Sequence, residues 1–269
     1  MLKQIVFTLL MLVVFGFAAN AQSPINQTDT FGRKQGLWQK NQASGQLLYS
    51  GSFKDDKPVG EWKRYHANGM VKAILVYAEG SGPAGATLFD ELGQKVATGF
   101  YLEQEKNGHW VYFDKNQRVQ EEEYARGIKN GKSKTYYPSG ELFVETTYAD
   151  GLQEGVYRAF FKNGTPYFEC RMKDDKRDGI CHVFHENGEL ETEANYVDGL
   201  RDGLWKYYSE QGTYQYTLIY DRGILQNKSV LDSLEQIRYN QMDGNRNKIV
   251  DPERFMSDPS EYMMQKGIR

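Results

Sequence analysis

The sequence predicts an all-β protein made of tandem β-hairpins, and three observations lead there. Glycines recur at Gly36, Gly60, Gly85, Gly108, Gly131, Gly155, Gly179 and Gly203, at intervals of 23 to 25 residues, a period that marks a repeat architecture with one supersecondary element per unit. All four tryptophans occupy one phase of that repeat: Trp38, Trp62, Trp110 and Trp205 each stand two residues after a repeat glycine, with Tyr157 in the same place. The composition agrees, since 27 glycines and 19 tyrosines against only 7 prolines in 269 residues suit short strands and tight turns.

Residues 1–21 stand apart from the repeat. Lys3, an apolar run from Ile5 to Phe17 and the small pair Ala19 and Ala21 around Asn20 read as a secretory signal cleaved near Ala21. The run is too short to span a bilayer, so the expected product is exported, periplasmic or extracellular, without stable membrane insertion. Export permits disulfides. Residues 22–35 form a lead-in, and eight hairpin repeats of 23–25 residues follow over 36–227.

Within each repeat the pattern is that of a hairpin. A second aromatic follows five residues after the glycine, as in Tyr65, Phe113 and Phe184. Turn pairs such as Asn68-Gly69, Asn163-Gly164 and Asn187-Gly188 come next, the strongest short signal for a primed two-residue turn. A third aromatic closes the unit, as in Phe53, Tyr77 and Tyr220. Links such as Lys173 to Asp178 are short and polar, so consecutive hairpins must pair antiparallel in one elongated, twisted meander sheet. Contacts between neighbouring units, rather than a central core, would stabilise it.

A register follows from the spacing. If the residue two after each glycine faces the residue nine before it, Gly51 meets Trp62, Gly99 meets Trp110, Thr146 meets Tyr157 and Ala194 meets Trp205. Small opposes large, which lets the ring lie over the neighbouring backbone. The same rule sets Cys170 opposite Cys181, the only two cysteines, close enough for a disulfide. Trp38, Trp62, Trp110, Tyr157 and Trp205 are therefore expected to be packing residues.

Units such as Gly203 to Gly212 followed by Tyr220 and Gly223, and Gly60 to Gly69 followed by Tyr77 and Gly80, resemble the MORN repeat variant of bacterial envelope proteins. The resemblance covers about residues 33 to 226. It implies tandem hairpins that serve as scaffolds or binding surfaces, and some members carry an antitoxin label. The third unit departs from the pattern, with Thr87 in place of the first aromatic and Leu92-Gly93 in place of the turn pair.

Residues 228–269 are read as a short helix over Ser229–Met242, with Ser229 as N-cap and Val230, Leu231, Leu234 and Ile237 at helical spacing, and then a polar tail. The helix is expected to cover the last hairpin.

No catalytic constellation is present, and no cofactor or metal is expected. His182 and His185 project from opposite faces of a strand. Asp243, Asn245, Asn247 and Asp251 have calcium-loop spacing, but Lys248 and Arg254 occupy the positions of the turn glycine and the bidentate glutamate. The run Glu121, Glu122, Glu123 reads as a solvated face beside Lys129 and Lys132. With 36 acidic and 33 basic residues the net charge is -3, so nucleic acid is not an expected partner. The leading expectation is a non-enzymatic scaffold for another envelope protein, contacted through the variable residues Arg64, His66, Lys134, Arg158, His182 and Lys206. The alternative is a glycan or peptidoglycan module using its surface aromatics.

Overall fold

The computed structural model describes residues 24–78 and 82–246. The expected signal segment, its cleavage point and the polar tail lie outside the described residues, as do Asn247, Lys248, Asp251 and Arg254. The chain forms two compact bodies, the first ending at Gly93 and the second starting at Gln94.

In the first body, strands Lys34–Asn41, Leu47–Lys54, Lys57–Tyr65, Val71–Tyr77 and Ala84–Phe89 each pair antiparallel with the next. Gln27–Thr28, from the lead-in, pairs with the first of them and covers its open edge. The second body is itself an antiparallel meander, through Lys95–Leu102, Glu105–Asp114, Gln117–Ala125, Ile128–Tyr136, Leu142–Ala149, Gly155–Phe160, Pro166–Lys173, Gly179–Phe184, Leu190–Val197, Leu200–Tyr208 and Tyr214–Asp221. It ends in the helix Lys228–Arg246.

The repeat glycine has a mechanical reason. Between Ser50 and Ser52 only Gly51 intervenes, whereas the opposing strand needs Gly60, Glu61 and Trp62 to pass from Val59 to Lys63. This bulge breaks the ladder and requires a left-handed residue, so Gly60 has φ +66°, and Gly36, Gly108 and Gly203 have +66°, +67° and +66°.

Breaking the ladder strips a carbonyl of its backbone partner, and the tryptophan replaces it. The indole N–H of Trp62 donates to the Ser52 carbonyl at 2.9 Å, that of Trp110 to Phe100 at 3.1 Å and that of Trp205 to Asn195 at 3.1 Å. Each acceptor is the residue after the small one facing the ring. Where the phase holds Tyr157 or Cys181 no indole is available, and a main-chain N–H does the work: Glu154 donates to Thr147 and Asp178 to Arg171. In those repeats the glycines open to φ +96°.

The expected register is present. Trp205 pairs with Ala194, and the Trp62 and Trp110 rings lie directly on Gly51 and Gly99, where no Cβ could be accommodated. Cys170 and Cys181 stand at disulfide distance, with Cα atoms 4.2 Å apart. In the third repeat the strand Ala84–Phe89 pairs without a bulge, so Ala86, and not Thr87, shares the pleat of Trp62 opposite Leu75.

The Asn-Gly pairs do not form primed two-residue turns. They close three-residue loops in which only the glycine is left-handed, Gly69 at φ +85°, with its N–H on the His66 carbonyl. The asparagine instead joins neighbouring hairpins: Asn68 accepts from its own turn at Met70 and donates to the Glu91 carbonyl, and Asn187 does the same with Glu189 and Glu210. Two-residue turns with both φ positive lie in links, at Asp55-Asp56 and Asp174-Asp175, and within one repeat hairpin at Lys115-Asn116.

The helix also differs from expectation. Asn227, ahead of it, accepts the Ile219 N–H and donates to the Thr217 carbonyl, which fixes the helix start at Lys228 and leaves Ser229 inside the first turn. Val230 packs on the cluster of Ala194, Trp205, Leu218 and Tyr220. Leu231, Ile237, Tyr239 and Met242 remain exposed, so only the start of the helix covers the last hairpin.

Candidate functional site

Antiparallel register divides the side chains of the second body between two pleats. One carries an unbroken row of acids facing bases: Glu121 faces Lys134, which faces Glu145, and the alternation continues through Arg158, Glu169, the imidazole of His182, Glu193 and Lys206. Arg158 reaches Glu169 at 2.8 Å and Lys206 reaches Glu193 at 2.8 Å. Lys134, Arg158 and His182 each lie between two glutamates, and Lys206 lies between Glu193 and Thr217. Such pairs favour one register over a slipped one, which would part most of them.

Arg64 and His66 lie in the first body and do not join this row. Arg64 shares the pleat of Trp62, and the His66 Nε2 is 2.9 Å from the Phe89 carbonyl.

The other pleat holds the tryptophans, and a second repeated signal escaped the sequence reading. Two residues before the repeat glycine stand Lys34, Lys106, Lys129, Arg177 and Arg201. Each cation lies over an aromatic ring: Lys106 is 4.9 Å from the Trp110 centroid, Lys129 is 5.1 Å from Tyr148, and Arg201 is 4.7 Å from Trp205. These geometries favour cation–π attraction. The spacing was visible, but nothing in the sequence distinguishes a cation over a ring from one in solvent.

Glu122 corrects the reading of a solvated acidic run. Glu121 and Glu123 point to the charged pleat, and Glu122 points to the tryptophan pleat opposite Trp110 and Ser133, where it is 4 % exposed. Lys129, Tyr124 and Gln120 surround its carboxylate. The Tyr112 hydroxyl lies 3.2 Å from that of Tyr124, and Lys106 donates to Tyr112 at 2.7 Å. Burial would raise the Glu122 pKa, but hydrogen bonds from Lys129 and the tyrosines outweigh it and hold the group below the usual range. Burial and the neighbouring Tyr124 and Glu122 push the Tyr112 phenol far up.

A carboxylate depressed in the folded state stabilises fully above its unfolded pKa, about 4.3, and loses that contribution as pH falls through the folded value. Glu122→Gln is therefore expected to be less stable than the parent at neutral pH, with the gap closing as pH drops below about 4. Urea unfolding at stepped pH checks this; a gap that widens on acidification would contradict it.

Further along the tryptophan pleat the large residues give way to small ones, and a cleft of about 500 Å³ opens. Ala159, Cys181 and Ala194 form its floor, and Tyr157, Phe168, Tyr196 and Trp205 its walls. Arg177 stands at the rim, 5.0 Å from the Phe168 centroid and 5.2 Å from that of Tyr196, and donates to the Tyr196 hydroxyl at 2.9 Å. Tyr157 and Trp205 line the opening, although Trp205 keeps only 6 % of its surface exposed. Among the described residues no three His, Cys, Asp or Glu side chains gather as a metal site.

Comparison with known families identifies the hairpins. The MORN repeat variant model matches residues 58–79, 129–150 and 177–198. This chain carries MORN repeats. Each matched MORN segment begins two residues before its glycine, so the rim cation of the cleft, Arg177, opens the third. No curated protein matches the chain. Among solved structures, the crystal structure of TarM is similar at 16% identity over 48% of this chain and 22% of that one, with a TM-score of 0.22. An S. aureus TarM mutant in complex with fondaparinux, alpha-GlcNAc-glycerol and UDP is similar at 15% identity over 45% and 21%, also with a TM-score of 0.22. The chain spans about a fifth of the length of these structures, and at that TM-score the likeness carries no argument.

Proposed function

We propose that this MORN-repeat chain is an exported, non-enzymatic scaffold that binds another protein of the bacterial envelope. The observation that supports it best is the contrast between the two pleats of the second body. On one pleat the bases of the central row face glutamates. On the other, an apolar, ring-walled cleft lies open, and concave aromatic surfaces with a few placed polar groups are the usual form of binding sites. Export is supported by the expected signal segment and by the paired Cys170 and Cys181. No described helix is long and apolar enough to cross a membrane.

The test is fractionation of cells producing the full-length chain, followed by pull-down from envelope extract and sedimentation with purified peptidoglycan. The expected result is a protein in the exported fraction with Cys170 and Cys181 oxidised, which retains a protein partner and leaves peptidoglycan in the pellet without it. Retention in the cytoplasm with free thiols would overturn the export reading. Co-sedimentation with peptidoglycan and no protein partner would replace the scaffold by a glycan module.

A further inference from the structure

We propose that the cleft binds an acidic peptide segment in polyproline II form, with carboxylates three residues apart reaching Arg177 and Arg201. This rests on the protein-scaffold reading and names the chemistry of its partner.

The walls select the class of ligand. The cleft offers mainly ring faces and methyl groups, with Gln153 and Thr192 among its few polar side chains, and the Tyr196 hydroxyl at its edge already accepts from Arg177. A glycan entering it would lose water from several hydroxyls and find few partners for them beyond Gln153, Thr192 and the rim Arg177, a penalty on each one left unpaired. An apolar peptide side chain brings no such groups and covers the Tyr157, Phe168 and Trp205 rings.

The charge comes from the arginines. Arg177 faces Met172 across the ladder and Arg201 faces Tyr196. Neither has a carboxylate at ion-pair distance among the described residues, although the chain as a whole is acidic at -3. Each gives an Nη1 hydrogen bond to one tyrosine hydroxyl, Tyr196 at 2.9 Å and Tyr220 at 3.0 Å. A guanidinium has five N–H donors in a fixed fork, so donors remain for a carboxylate, and ring stacking holds the fork in place.

The repeat sets the spacing. Arg177 and Arg201 come from equivalent positions separated by one intervening strand, Leu190–Val197, or two inter-strand steps, ~10 Å. A polyproline II segment rises ~9 Å in three residues and returns to the same face, so acids at every third position meet successive arginines. An extended β-strand would turn alternate acids away.

The probe is a short fluorescein-labelled peptide repeating Glu-Leu-Pro, titrated against the full exported chain by anisotropy. Binding that weakens with salt is expected. The matching Gln-Leu-Pro peptide and a Glu-Leu-Leu-Pro peptide, whose acids fall out of phase, are each expected to bind at least about tenfold more weakly, the loss of one charge-assisted bond. Arg177→Gln and Arg201→Gln should each show the same loss while retaining the parent far-UV spectrum. If Arg177→Gln fails to fold, Arg201→Gln and the two control peptides still decide. Equal affinity for the Glu and Gln peptides, or unchanged binding by both variants, would overturn the proposal, as would binding of polygalacturonate in place of the peptide. A protein partner pulled down equally by parent and Arg177→Gln would leave the scaffold reading intact and remove only this cleft assignment.

Discussion

Trp110→Ala is expected to lower the unfolding free energy of the second body by about 3–5 kcal/mol, the range for deleting a fully buried large aromatic. Trp110 has no exposed surface, packs edge-on against Tyr101 with centroids 5.0 Å apart, lies on Gly99, and fills the hydrogen-bond vacancy at the Phe100 carbonyl. Two effects combine in its loss, and Trp110→Phe separates them. The phenyl ring keeps most of the packing but has no N–H, so Trp110→Phe should cost about 1–3 kcal/mol, the penalty of an unsatisfied buried acceptor. Urea denaturation followed by far-UV dichroism measures both. A loss below about 1 kcal/mol for Trp110→Ala would mean that the indoles do not hold the repeat together.

Gly51→Ala is expected to destabilise the first body by about 1–3 kcal/mol through overpacking, although it adds a single methyl group to a strand. Its Cβ would overlap the Trp62 ring at Cδ2, Cε2 and Cγ. Trp38 faces the same glycine from the opposite strand, so the two indoles flank it. The backbone at Gly51 is not left-handed, which makes the penalty purely one of space. In a Trp62→Leu background the same substitution should cost less than about 0.5 kcal/mol, because coupled neighbours are not additive. Equal costs in both backgrounds would show that the ring is not what excludes the methyl.

The two substitutions mark how far the sequence could be read. Gly51, Gly99 and Ala194 could be assigned to their tryptophans from spacing alone, because a hairpin array with a fixed period leaves one register in which small residues meet large ones. The cysteine pair followed from the same register. The turns were less legible: Asn68-Gly69 contains the residues of a primed turn, yet the loop takes one more residue, and Asn68 uses its amide on a carbonyl 23 residues on. That carbonyl is near only once the hairpins are stacked. Glu122 shows the same limit, since three successive glutamates look alike in a sequence and the pleat sends only the middle one inward. Of the six basic residues expected to meet a partner, Lys134, Arg158, His182 and Lys206 stand opposite glutamates on neighbouring strands, and pairing across strands cannot be seen one strand at a time. Arg177 was not singled out at all.

By itself the sequence determined the hairpin period, the strand order and which ring lies on which small residue, because these depend on spacing along a chain that pairs only with its immediate neighbours. Only the tertiary structure decided that the indole N–H replaces a bond lost at each glycine bulge, that one pleat neutralises its charges while the other leaves arginines over rings, and that a cleft opens where Ala159 and Cys181 replace larger side chains. Those features arise from atoms brought together across strands, where bulge and twist, rather than residue order, set which groups meet.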